Sequence, residues 1–165
     1  MNSKSILASM AILALAACGD EPAEEVVAEV PDCPPGIEVD GGWMSMAAVA
    51  GDPAAVYFTI TNNGEEAKMI AAADVAGAGS AALHEMGTWN LQPSMDEVLQ
   101  LDVPAGESIA FEPGGLHVMA MQPGEELAVG GETEVTLTFV RGDKCSFPVA
   151  IRAPGDTPEA EADAE

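Results

Sequence analysis

The sequence predicts an all-β domain, either a Greek-key sandwich or a barrel. About eight short apolar segments follow one another at regular spacing, and turn residues such as those of VPAGES and EPGG separate them. The segments alternate apolar and polar side chains, and no long stretch shows the period of an amphipathic helix. Because alternate side chains of a strand point to opposite faces, such segments can line one core while their other faces meet solvent.

The clearest strand is the segment AVYFTITNNG. Val56, Phe58 and Ile60 share one of its faces, which is therefore predicted to be buried. Tyr57 and Thr59 lie on the other face. An Asn-Gly pair follows the apolar run, and this pair is typical of a tight turn.

The segment EVTLTFVRGDKCSFPVAI is predicted to form a β-hairpin. Its strands are expected over residues 134–140 and 144–151, with a turn around Gly142 and Asp143. The remaining predicted strands cover residues 37–49, 67–75, 81–89, 97–101, 107–111 and 116–121. We therefore expect the folded domain to cover residues 33–152.

The N-terminus has the layout of a bacterial secretory signal. Lys4 precedes an apolar run that is too short to span a bilayer, and small residues follow this run. The sequence LAAC at residues 15–18 resembles a lipobox, whose cysteine becomes the lipid-modified first residue of the mature chain. We expect residues 1–17 to be a lipoprotein signal peptide and Cys18 to be lipidated. The alternative is an ordinary signal peptide that a different enzyme cleaves.

Both ends of the mature chain are acidic and poor in aromatic residues. Residues 18–32 are expected to form a lipid-anchored acidic linker, and residues 153–165 a disordered acidic tail. The protein is then expected on an envelope membrane, in the periplasm of a Gram-negative bacterium. Its formal net charge of -23 repels nucleic acid and anionic lipid, so neither is an expected partner.

Two cysteines remain after Cys18 is assigned to lipid. Cys33 precedes the first predicted strand, and Cys145 lies in the last predicted hairpin. An even pair in an oxidising compartment predicts a structural disulfide between them. A redox or metal-binding thiol pair is the alternative, but the sequence contains no C-x-x-C spacing.

The segment GGLHVMAMQP supports two interpretations. As a strand it places His117, Met119 and Met121 on one face and Val118 and Ala120 on the other. Methionine commonly fills irregular gaps in cores, so the segment could simply be core. Alternatively, imidazole and thioether groups on one face could bind a metal ion.

The spacing of His84, Met95, His117 and Met119 is specific, because it reads H-x10-M-x21-H-x-M. With VPAGES and GGLHVMAM, this spacing resembles that of the PCuAC family of periplasmic copper chaperones, over residues 37–151. The resemblance implies a cupredoxin-like fold, and it implies that the four residues bind copper. It further implies that Met86 and Met121 are accessory. One departure is LQPSM, in which Pro93 replaces an additional methionine of the family hairpin that precedes Met95.

The chemistry of these donors agrees with the resemblance. Thioethers are soft donors that favour Cu(I), and they need no deprotonation to bind. Blue-copper electron transfer requires a cysteine ligand, and the motif contains none. No catalytic triad or phosphate-binding loop is present, so an enzyme is not expected.

The sequence therefore predicts a monomeric, lipid-anchored copper chaperone that holds Cu(I). The resemblance implies delivery to a Sco-type assembly protein or to cytochrome c oxidase subunit II, during assembly of the oxidase copper centres. One alternative is a copper-buffering protein without a delivery role. Another is an envelope lipoprotein binding module whose methionines pack against a protein partner.

Overall fold

A computed structural model describes residues 32–158, and these residues form ten strands. The strands are β1 (Ile37–Ser45), β2 (Ala54–Asn62), β3 (Lys68–Val75), β4 (Ala78–Trp89), β5 (Gln92–Glu97), β6 (Leu101–Val103), β7 (Ser108–Phe111), β8 (Leu116–Pro123), β9 (Glu132–Phe139) and β10 (Lys144–Arg152). The all-β prediction is confirmed. Within the described range, no helix is long and apolar enough to cross a membrane.

One continuous sheet wraps around the core. Its hydrogen-bonded order is β5-β4-β8-β2-β1-β10-β9-β3-β6, and β7 also pairs with β2. β1 pairs with β10 in parallel, whereas β2 pairs with β1, β7 and β8 in antiparallel fashion. The Phe58 ring meets Phe147 at a centroid distance of 4.9 Å and stacks on Phe111 at 4.2 Å. Side chains from distant strands of the sheet therefore share one core.

Period-two alternation builds this core. Every second residue of β2 is buried, and β10 alternates in the same way from Cys145 to Ile151. In β8 the core residues are Val118 and Ala120, both 0% exposed. Complete burial of an aliphatic side chain the size of valine contributes about 1.5–3 kcal/mol, so these positions set which face of each strand points inward.

The Asn-Gly segment after β2 does not form a hairpin, because β3 pairs with β9 and β6 instead of β2. Asn62 is 0% exposed, and its side-chain amide donates to the carbonyls of Glu66 and Val103, both at 2.9 Å. Its side-chain oxygen accepts a hydrogen bond from the Gly64 N–H at 3.0 Å. This buried amide fixes a crossover between two parts of the sheet.

Two other strand predictions were wrong in their bounds. The strand expected over residues 97–101 is absent, since β5 ends at Glu97 and β6 begins at Leu101. Between them the Val98 N–H donates to the Leu83 carbonyl at 2.8 Å, as the chain passes from the side of β4 to the side of β3. The strand expected over residues 37–49 ends at Ser45.

Cys33 and Cys145 form a disulfide that spans 112 residues of sequence. Cys145 is 0% exposed within the core of β10. We predict that reduction lowers the melting temperature. A cross-link over a loop of this length lowers the entropy of the unfolded chain, which stabilises the folded protein by up to about 4–5 kcal/mol. Melting curves with and without reductant measure the effect. Stoichiometric labelling of both cysteines in the native, unreduced protein would contradict the disulfide.

The β4–β5 hairpin closes with two residues in the left-handed region. Asn90 has φ 52° and Leu91 has φ 63°, between the paired residues Trp89 and Gln92. Two-residue loops of this kind favour Asn-Gly, whereas leucine is sterically disfavoured there. Leu91 is 96% exposed, so no packing offsets this cost.

We predict that Leu91→Gly raises the free energy of unfolding by about 0.5–1 kcal/mol, because glycine adopts positive φ without a steric penalty. Denaturant unfolding measures the change. Leu99→Gly is the matched control, since Leu99 is also exposed, at 75%, but has no positive φ. An equal effect of both substitutions would show that backbone strain at Leu91 is not the cause.

Candidate metal site

The outer face of β8 carries three of the predicted site residues. His117, Met119 and Met121 alternate with Val118 and Ala120, which fill the core. The predicted division of this segment into two faces is therefore correct: one strand supplies both core and outer-face side chains. His117 is nevertheless only 4% exposed, because neighbouring side chains on the outer face cover it.

Antiparallel pairing places the two histidines side by side. His84 of β4 lies directly opposite His117 of β8, and Ala82 lies opposite Met119. The centroids of the two imidazole rings are 5.9 Å apart, with planes inclined by 31°. Metal–imidazole bonds are about 2 Å long, so one ion between the rings could bind both.

The β4–β5 hairpin brings two methionines together. Met95 was expected in a loop, but it lies within β5 and pairs directly with Met86 of β4. Pro93 does not interrupt the strand, because β5 is at the edge of the sheet and proline is tolerated there. Met95 is 46% exposed, whereas Met86 is partly buried. The two thioethers thus occupy equivalent positions in neighbouring strands.

The sulfur atoms flank the histidine pair. Met86 lies two residues beyond His84 on the same face of β4, and Met119 lies on the opposite side of the pair, two residues beyond His117. Met121 is a further two residues away and faces Ser80 of β4. The register therefore brings Met86, Met95 and Met119 close to the histidines and leaves Met121 at the margin.

The hydrogen bond of His117 determines which ring nitrogen can bind a metal. Nδ1 lies 3.1 Å from the Gly115 carbonyl oxygen. A carbonyl only accepts, so Nδ1 carries the proton and donates it. In the neutral ring the lone pair is then on Nε2, which is the arrangement typical of metal-binding histidines.

His84 has an unpaired buried nitrogen. Its Nδ1 is inaccessible and has no hydrogen-bond partner within residues 32–158. An unsatisfied buried polar atom costs about 1–3 kcal/mol, so such atoms usually have a partner that completes them. A metal ion bound to Nδ1 would be such a partner, so the unpaired nitrogen of His84 fits a metal site.

Methionine sulfur atoms are the donors that could join the two histidines in binding one metal ion. In the part of the chain that the structure describes, no three His, Cys, Asp or Glu side chains converge on a possible metal position. The two histidines therefore need the thioethers of neighbouring strands as further ligands. Two imidazoles with thioethers suit a soft monovalent ion better than Mg²⁺, Ca²⁺ or Zn²⁺.

Two aromatic rings lie next to the histidine pair, and the sequence did not predict this position for them. Tyr57 lies beside His117 at a centroid distance of 6.3 Å, and Trp43 packs on Tyr57 at 4.6 Å. A bulge between Asp40 and Trp43, with Gly41 at φ 67°, shifts the register of β1 and turns Trp43 to the outer face. The outward position of Tyr57 in AVYFTITN was a signal, whereas nothing in the local sequence revealed the bulge.

Acidic residues surround this face. Glu85, Asp96 and Glu97 are exposed on β4 and β5, and Glu112 is exposed just before β8. The sequence from residue 69 to residue 140 contains no lysine or arginine. The potential around the site is consequently negative and attracts cations in a salt-dependent way.

Sequence comparison identifies a family of lipoproteins. A family model described as "Putative lipoprotein LpqE-like" matches residues 37–151. The "Putative lipoprotein Lxx21020" of Leifsonia xyli subsp. xyli (strain CTCB07) is 33% identical over 117 residues, which are 70% of this chain and 68% of that protein. The range of the family model contains all of the candidate ligands.

Solved structures share the fold. The "Apo PCuAC domain from PmoF1" is 27% identical, with a TM-score of 0.60 over 74% of this chain and 98% of that one. The "Copper-bound PCuAC domain from PmoF2" is 19% identical, with a TM-score of 0.60 over 72% of this chain and 94% of that one. "CuI-DR1885 from Deinococcus Radiodurans" is 25% identical, with a TM-score of 0.53 over 73% of this chain and 80% of that one. The predicted cupredoxin-like fold is confirmed.

The single tyrosine of the chain reports on this face directly. Burial raises the pKa of Tyr57, because the phenolate is less well solvated in the folded protein. We predict a tyrosinate absorbance midpoint above the ordinary value of about 10. Since the folded pKa is raised, the stability that Tyr57 contributes is complete below the unfolded pKa and is lost as pH rises through the folded pKa.

The measurement is a spectrophotometric pH titration with parallel melting curves. Tyr57→Phe should weaken the alkaline loss of stability, because it removes the ionising group while keeping the ring. A midpoint at the value of an unfolded peptide would show that the face is open to water around Tyr57.

Proposed function

This chain belongs to the LpqE-like lipoprotein family, and we propose that it is a lipid-anchored, non-catalytic carrier of Cu(I). The observation that supports the proposal most strongly is the direct cross-strand pairing of His84 with His117, flanked by thioethers. We propose His84, Met95, His117 and Met119 as the copper ligands, with Met86 and Met121 as accessory donors. Copper is the cargo of this site.

The donor set fits the proposed cargo. Soft, neutral thioethers stabilise Cu(I), and the imidazoles add stronger donors. The two thiols of the domain are joined as a disulfide and are not needed for binding. Two structures that share the fold are described as copper-bound and as CuI-DR1885, which supports the same metal for this chain.

The partly open position of the ligands suits release as well as binding. Met95 is 46% exposed at the edge strand, so an acceptor ligand can approach it without unfolding of the core. Met119 is partly buried and His117 is nearly covered. Transfer would proceed by exchange of one ligand at a time, beginning at the exposed sulfur and ending at the histidines.

Location and recipient follow from the same proposal. Cys18, outside the described residues, would carry the lipid and hold a monomer at an envelope membrane, in the periplasm of a Gram-negative bacterium. The recipient would be a Sco-type protein or cytochrome c oxidase subunit II, in the assembly of the oxidase copper centres. A role in buffering copper without delivery would show as tight binding with no transfer to either recipient.

Matched methionine substitutions test the site. We predict that Met119→Leu weakens Cu(I) binding by at least about tenfold, or about 1.4 kcal/mol, because it removes a sulfur donor and preserves volume. Met44→Leu is the control, since Met44 is 0% exposed in the core. It should leave Cu(I) affinity unchanged, with a stability cost below about 1.5 kcal/mol.

The affinities are measured by competition with a Cu(I) chelator at fixed pH, with a melting curve for each variant. His117→Ala should weaken binding more than Met119→Leu, because imidazole is the stronger donor. Met121→Leu should have the smallest effect. Unchanged affinity in both His84→Ala and Met119→Leu would refute the copper site and favour a binding module whose methionines contact a protein.

A further inference from the structure

Positive charge in the folded domain is concentrated in one place. Three of the five basic residues of the chain are Lys68, Arg141 and Lys144. Lys68 Nζ lies 3.9 Å from a carboxylate oxygen of Asp143, and this contact joins the start of β3 to the β9–β10 turn. Arg141 and Lys144 are exposed and form no ion pair among the residues that the structure describes. We call the outer face around His84 and His117 the metal-binding face. In contrast to the region around Lys68, its strands β4, β5 and β8 carry no basic residue.

Two hairpin turns lie at the same end of the domain as these charges. β3 begins at Lys68 and runs to Val75, after which a short turn reverses the chain. β4 then runs back alongside β3, so its last residue, Trp89, returns to the end at which β3 began. We call this end the hairpin end. It consists of Lys68, the β4–β5 tip at residues 89–92 and the β9–β10 turn at residues 140–144.

The hairpin end exposes large apolar side chains. Trp89 is 75% exposed, Leu91 is 96% exposed and Val140 is 54% exposed. Leu91 also holds a left-handed backbone conformation that glycine or asparagine would adopt at lower cost. An apolar residue kept at a strained, fully exposed turn position contributes nothing to the core, which points to a contact outside the domain.

The N-terminal segment reaches the domain at the same end. Asp32 forms two backbone hydrogen bonds with Ser146, near the start of β10, and Cys33 is joined to Cys145. Residues 19–31 separate Cys18 from this attachment. A chain of that length spans at most about 45 Å when fully extended, so lipid on Cys18 would keep the hairpin end near a bilayer.

We propose that the hairpin end rests on the surface of the phospholipid bilayer that carries the anchor. Trp89, Leu91 and Val140 enter the interfacial region, where aromatic and apolar tips are favoured. Arg141 and Lys144 lie at the headgroup phosphates. The net charge argues against anionic lipid as a partner, and Glu65, Glu66 and Asp143 lie at the same end as the basic residues. The exposed apolar side chains and the nearby lipid anchor, and not net charge, therefore favour this contact.

The proposed orientation fixes the position of the metal-binding face. His84 is five residues from Trp89 along β4, which corresponds to about 17 Å at a strand rise of about 3.3 Å per residue. The site would stand at this height above the bilayer, facing sideways. An acceptor protein anchored in the same membrane could then meet it by lateral diffusion.

Tryptophan fluorescence tests the orientation, because the two tryptophans differ in position. Trp43 is 7% exposed within the wall of the domain, whereas Trp89 is at the hairpin end. The lipidated, full-length protein is reconstituted into vesicles of phosphatidylethanolamine and phosphatidylglycerol that contain brominated lipid. With Trp43→Phe, the remaining Trp89 should be strongly quenched and blue-shifted. With Trp89→Phe, the remaining Trp43 should be quenched several-fold less.

Further variants in the Trp43→Phe background separate docking from anchoring. Leu91→Gly and the double change Arg141→Glu with Lys144→Glu should each reduce quenching of Trp89, although Leu91→Gly raises the melting temperature. Leu99→Gly is the control for loss of an exposed leucine elsewhere, and it should leave quenching unchanged. Cu(I) affinity in each of these variants should equal that of the Trp43→Phe parent.

The proposal rests on lipid attachment at Cys18 and is independent of copper binding. Flotation of the protein with vesicles, compared with Cys18→Ser, measures the anchor separately. If the protein floats but Trp89 is not quenched, the docking proposal is wrong and the anchor stands. Equal quenching of Trp43 and Trp89 would also overturn it, and a protein that does not float would refute both the anchor and the orientation.

Discussion

The pairing of β4 with β8 is the constraint on which both the core and the candidate site depend. Leu83 is 2% exposed and Val118 is 0% exposed, and these two residues face each other on the inner side of the pair. A slip of either strand by one residue would move its apolar side chain to the outer face and its histidine into the core. The hydrophobic effect therefore holds the register, and the register holds His84 opposite His117.

The core and the candidate metal ligands consequently lie on opposite faces of the same strands. The inner face forms a continuous core, whereas the thioethers on the outer face remain partly open. His117 is the exception, because it is nearly covered beside Tyr57 and His84, and its Nδ1–H donates a hydrogen bond to the Gly115 carbonyl oxygen. This arrangement gives one covered, hydrogen-bonded candidate ligand among more exposed ones.

Basic residues are distributed unevenly over the domain. A stretch without lysine or arginine carries the candidate ligands, while three basic residues gather around the β9–β10 turn, where the N-terminal segment is also fastened. Net charge alone describes a uniformly acidic protein that membranes repel. The fold gathers most of the basic residues of the described domain at one end, whereas the face with the candidate ligands has only acidic charges, which attract cations.

The sequence by itself determined the all-β class, the alternation of β2 and β8, and the His/Met spacing, because period-two patterns and motif spacing are local properties. The tertiary structure decided which strands are neighbours, and local patterns carry no such information. It placed Met95 in β5 beside Met86, turned Trp43 outward through a bulge and used buried Asn62 to make a crossover after β2. Each of these outcomes depends on hydrogen bonds or packing between segments distant in sequence, which compete with and override local preference.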